Sequence, residues 1–75
     1  MTLLTAIQNR RSEVIRLLTA EFRKLGSGAE AWVMAQDGPL MLVEELTGIE
    51  VGDRGAEEVF TLLDSLCWEA GYRPR

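Results

Sequence analysis

The chain has 75 residues, eight of them Lys or Arg and twelve Asp or Glu, with one Cys, no His and a net charge of −4. A lone cysteine excludes an internal disulfide, and the lack of histidine removes the commonest metal ligand together with every Ser/His/Asp or Cys/His catalytic arrangement. A chain this short buries only about 60% of the surface its unfolded form exposes, so stability has to come from good helix packing or from association.

Residues 2–25 read as one long helix, because Leu4, Ile7, Val14, Leu18, Phe22 and Leu25 recur at three- and four-residue steps. Arg11 interrupts that apolar stripe. The polar patch 8–12 is therefore a bend or the exposed start of a second half, and Asn9 as an N-cap would leave residues 2–7 as a separate arm. Gly26-Ser27-Gly28 ends the helix, with Arg23 and Lys24 near its negative end.

Residues 30–43 are ambiguous between a hairpin and helices. Asp37-Gly38 suits a hairpin turn, whereas Pro39 cannot donate to a ladder and suits the first turn of a helix. Helices at 29–36 and 39–47 are favoured, the second ended by Gly48 with Ile49 folding back on Val43. The clearest helix is 53–70. Asp53 is its expected N-cap, and Glu57 and Glu58 sit at its positive end. Val59, Phe60, Leu62, Leu63, Leu66, Cys67 and Ala70 form its wide apolar face, and Gly71 its cap. The tail from Tyr72 leaves no room for a two-stranded wing.

Charge is divided along the chain. Residues 1–24 hold five bases and two acids, a net +3, and residues 25–75 hold three bases and ten acids, a net −7. The carboxylate neighbours Glu44/Glu45 and Glu57/Glu58 point about 100° apart on a helix, too far for a tight acid–base dyad. Cys67 lies on an apolar face and reads as a small buried hydrophobe. Trp32 and Trp68 read as core or interface aromatics. No Gly-rich phosphate loop is present, and no apolar run approaches a membrane span. No catalytic residue, metal site or cofactor is expected. One cysteine, and a Met1–Ile7 stretch too short for a signal sequence, fit a reducing cytoplasm.

Asp37-Gly38-Pro39-Leu40, then residues 43–49 with Thr-Gly-Ile as the turn, then a helix closing on Ala-Gly-Tyr resemble the core of a winged helix-turn-helix domain. The likeness covers about half the chain. The spacing from Gly48 to Gly71 is longer than is typical of that superfamily, so 49–55 is a longer turn or the last helix is extended. The resemblance implies an all-α fold of three or four helices, a single domain over 1–75 with its helix-turn-helix-like part at 29–72, and no proper wing. It also implies a DNA-reading helix beginning Gly-Asp-Arg-Gly-Ala-Glu-Glu. That helix presents Glu57, Glu58 and Asp64 where phosphate contacts need cations.

The expected activity is therefore protein–protein regulation, inhibiting a transcription factor or another nucleic-acid-handling protein in the manner of an antiactivator or phage-type inhibitor. Its partner would be basic, and its binding surface would centre on Asp53, Glu57 and Glu58 with Trp68 and Tyr72 as aromatic anchors. Direct DNA binding is not expected. The competing expectation is a DNA-binding regulator that uses Arg10, Arg11, Arg16, Arg23 and Lys24 of helix 1 in a dimer. Self-association through helix 1 is also expected, because its stripe is longer than three short helices can cover.

Overall fold

Periodic apolar positions, separated by glycines, turn into a chain of helices. The computed structural model describes residues 1–35, 37–52 and 54–73. It is all-α: α1 Leu3–Asn9, α2 Arg11–Leu25, a 3-10 turn Gly26–Gly28, α3 Ala29–Met34, α4 Asp37–Thr47 and α5 Ala56–Glu69. No strand occurs among the described residues, so the hairpin alternative at 30–43 is not formed.

The long first helix is divided at Arg10. There φ is −117° and ψ 28°, and the amide is shared between the carbonyls of Ala6 and Ile7 at 3.2 and 3.1 Å. Counted as one interrupted helix, α1 and α2 with α3, α4 and α5 make four helices among the described residues, within the three or four expected. Thr2 caps α1, its hydroxyl accepting the Thr5 amide at 3.2 Å. The break gives Arg10 a second role. Its guanidinium donates to the Leu46 carbonyl at 3.1 Å, satisfying one of the orphan carbonyls at the end of α4.

Gly26 ends α2 at φ 55°, a conformation costly for any residue with a Cβ. α3 is shorter than the expected 29–36, because Ala35 is extended at ψ 102°; Gln36 lies outside the described residues. α4 begins two residues before Pro39. Gly38 is required at the α3–α4 corner: a Cβ there would stand 2.3 Å from the Trp32 carbonyl oxygen and 3.0 Å from the indole. After α4 the Thr47 hydroxyl takes the Ile49 amide, and the Glu44 carboxylate takes the Val51 amide at 3.0 Å. Gly48–Gly52, Arg54 and Gly55 thus lie outside the helices, and the last helix starts at Ala56 rather than at 53. Gly55 precedes it at φ 90° with no side-chain cap; Asp53, the expected N-cap, lies outside the described residues.

α1 packs against α4 and α5, α2 against α5, and α3 against α4. Ile7, Val14, Leu18, Val43 and Leu66 are completely enclosed, with Leu3, Leu40, Val59, Leu63 and Cys67 beside them. Of the helix 1 stripe, Ile7, Val14 and Leu18 are covered by the chain's own helices, while Leu4, Phe22 and Leu25 are only partly buried. Arg11 fits the stripe by leaving it: its guanidinium reaches across to Glu69 of α5. Both side chains are nearly half exposed, so this pair contributes at most about 1 kcal/mol. No polar or charged side chain is buried among the described residues.

Candidate functional site

α5 buries Val59, Leu63, Leu66 and Cys67. The 3.6-residue repeat then dictates what it shows to solvent. Glu57, Glu58, Thr61, Asp64, Ser65, Trp68 and Glu69 are exposed. Four of these are carboxylates and none is a base. Glu57, Thr61, Asp64 and Trp68, at steps of four, three and four, fall within about 60° of one another around the helix. The stripe is about 16 Å long from Glu57 to Trp68, at 1.5 Å per residue.

The expected site residues divide over this geometry. Glu57 and Trp68 share the stripe, Glu58 flanks it, and Asp64 completes it. Asp64, seven residues after Glu57, falls on the same face wherever the helix begins. Asp53 lies outside the described residues. Tyr72 is not on the stripe. α5 ends in a Schellman motif, with the Tyr72 amide bonded to the Cys67 carbonyl and the Gly71 amide to that of Trp68, both at 3.0 Å. Gly71 at φ 102° permits the reversal. Tyr72 is thereby folded onto Phe22, ring centroids 5.8 Å apart, and Phe22 meets Trp32 edge-on at 5.9 Å. Tyr72 is a packing residue first, half-buried in an aromatic row that joins α3, α2 and the tail. Burial, followed by Glu30, raises its phenol pKa.

Trp68 is the aromatic that faces outward, 49% exposed. Arg73 folds over it, the guanidinium carbon 4.6 Å from the ring centroid, while donating to the Trp68 and Tyr72 carbonyls. Cys67, one residue earlier, is buried. Desolvation, followed by the Asp64 carboxylate, pushes its thiol up to about 11, so it is a packed apolar group and a poor nucleophile at neutral pH.

At the other end of the stripe an open groove of about 470 Å³ runs between the start of α1 and the segment Ile49–Gly52 after α4. Met1, Leu4, Ile49, Val51 and Val59 line it together with Glu50, Arg54 and Glu58. No sequence signal marks it, since its walls come from opposite ends of the chain.

The outward face of α2 is the counterpart of the α5 stripe. Arg11, Ser12, Arg16, Ala20, Arg23 and Lys24 are exposed and include no acid. The two ion pairs among the described residues are Arg10–Glu13 and Arg11–Glu69. Arg16, Arg23 and Lys24, like Glu57, Glu58 and Asp64, form none within 4.0 Å there. No group of three His, Cys, Asp or Glu among the described residues is placed to hold a metal ion, and no helix there is long and apolar enough to cross a membrane. No protein-family model, curated protein or solved structure matches this chain.

Proposed function

We propose that the protein is a small cytoplasmic regulator that acts by binding another protein through the outward face of α5, and that it inhibits a basic, nucleic-acid-handling partner such as a transcription factor. The observation that carries this is the exposed surface of α5: Glu57, Glu58 and Asp64 with no ion pair among the described residues, no base on the helix itself, and an outward tryptophan at its end, under Arg73. In the helix-turn-helix resemblance this helix occupies the place of the DNA-reading helix, and a surface of that sign repels phosphate. Carboxylates of this kind steer a basic protein in and set the association rate, while a partly exposed tryptophan supplies contact area. No catalytic role is assigned to any residue.

A DNA-binding function would rest on Arg10, Arg11, Arg16, Arg23 and Lys24 of helix 1 in a dimer. Arg10 and Arg11 are already engaged with Glu13 and Glu69, and α2 packs directly on the acidic α5. The test is a tagged pull-down from the native host with wild-type protein and with Glu57→Lys/Glu58→Lys. Capture of basic proteins by wild type that is lost on charge reversal supports the proposal. Equal capture by both proteins refutes the role of α5.

A further inference from the structure

Resting on α5 as a docking surface, we propose that its acidic stripe also pairs with the outward face of α2 from a second copy of this chain, the two helices antiparallel. Self-pairing would then regulate access to the same site that a basic partner uses.

The match lies in spacing as well as sign. Arg16, Ala20 and Arg23 on α2 repeat the steps of Glu57, Thr61 and Asp64 on α5: charge, small residue, charge, with the same seven-residue separation between the charges. Both spans are about 10.5 Å long, so two ion pairs close together without adjusting either backbone. The centre is slim on both sides. Ala20 ends in a methyl, and the Thr61 hydroxyl is engaged within its own helix, donating to the Glu57 carbonyl at 3.0 Å.

Direction follows from the flanking charges. Lys24 lies about 100° around α2 from Arg23, and Glu58 the same angle and sense around α5 from Glu57. When two helices are laid face to face, side chains offset in the same sense fall on the same side only if the helices run antiparallel. Antiparallel docking therefore sets Arg23 and Lys24 over Glu57 and Glu58, and Arg16 over Asp64. It places Trp68, with Arg73 over its ring, opposite the small Ser12. It also brings the positive start of α5 beside the negative end of α2, which is favourable for the helix dipoles. None of the six charged groups forms an ion pair within its own chain among the described residues.

The experiment is a charge-swap series read by sedimentation equilibrium at low salt and in about 1 M NaCl, where surface pairs are screened within about 3 Å. Wild type is expected to self-associate at low salt and dissociate at high salt. Arg16→Glu/Arg23→Glu makes both faces acidic, and Glu57→Lys/Asp64→Lys makes both basic. Each variant alone is expected to associate at least about tenfold more weakly than wild type, in line with repulsion between like-charged surfaces. An equimolar mixture of the two is expected to form a mixed complex, because the swap restores complementary faces. All four positions are exposed, and circular dichroism confirms that each variant is folded before it is used. A wild-type chain that stays monomeric at low salt overturns the self-pairing, as does a mixture no more associated than its components. Neither outcome touches the partner-binding proposal, which fails separately if Glu57→Lys/Glu58→Lys captures partners like wild type.

Discussion

Leu66→Ala is the sharpest test of how α5 is oriented. Leu66 is completely enclosed, in the cluster with Ile7, Leu18, Val43 and Leu63. Truncation removes about three methylene equivalents at roughly 0.8 kcal/mol each, or about 2.4 kcal/mol of transfer free energy. A cavity left among Ile7, Leu18 and Val43 raises the total to about 3–5 kcal/mol. A domain of 75 residues is stable by only about 4–11 kcal/mol, so the variant should lose on the order of half its stability. Urea titration followed by circular dichroism should show a lower midpoint with an unchanged slope. Thermal unfolding should move down by on the order of 15 °C. Trp68→Ala, on the outward face of the same helix, should cost no more than about 1 kcal/mol. If Leu66→Ala costs less than about 1 kcal/mol, or less than Trp68→Ala, the buried face of α5 has been misassigned.

Gly38→Ala should destabilise by about 1–3 kcal/mol, since the added methyl would sit 2.3 Å from a backbone oxygen of α3 that cannot simply rotate away. Gly28→Ala is its control: φ is −79° and nothing lies within 4 Å, so the same urea assay should show no loss, or a gain of up to about 1 kcal/mol. Cys67 should resist a thiol reagent at pH 8 and react only on unfolding. Because its folded pKa of about 11 lies above the unfolded value of 9.0, the associated stability is fully present below pH 9 and is lost as pH rises through about 11. That loss amounts to about 2–3 kcal/mol, and Cys67→Ala should flatten the alkaline limb of the stability–pH curve. Fluorescence anisotropy with random and genomic duplexes should show negligible DNA binding at physiological salt; micromolar binding that weakens steeply with salt would overturn the assignment of α5 as a protein-docking face.

Much of the fold is written locally. Three- and four-residue apolar spacing identifies the helices, because a single amphipathic helix carries its periodicity wherever it packs. Gly26, Gly48 and Gly71 mark where helices stop, because left-handed backbone excludes most other residues. The acidic outer face of α5 follows from the same repeat once its inner face is known. Three features depend on tertiary packing. Arg10 breaks the first helix where its guanidinium can reach the end of α4, a contact 36 residues away in sequence. Arg11 sits in an apolar stripe because Glu69 lies across from it. Tyr72 reads as an aromatic anchor from sequence, and only the Schellman turn shows that it also packs on Phe22. The groove beside Glu58 belongs with these, since residues 1–4 and 49–59 share a surface only after α1 docks on α5. Each depends on which side chains become neighbours through space, and a one-dimensional period carries no information about that.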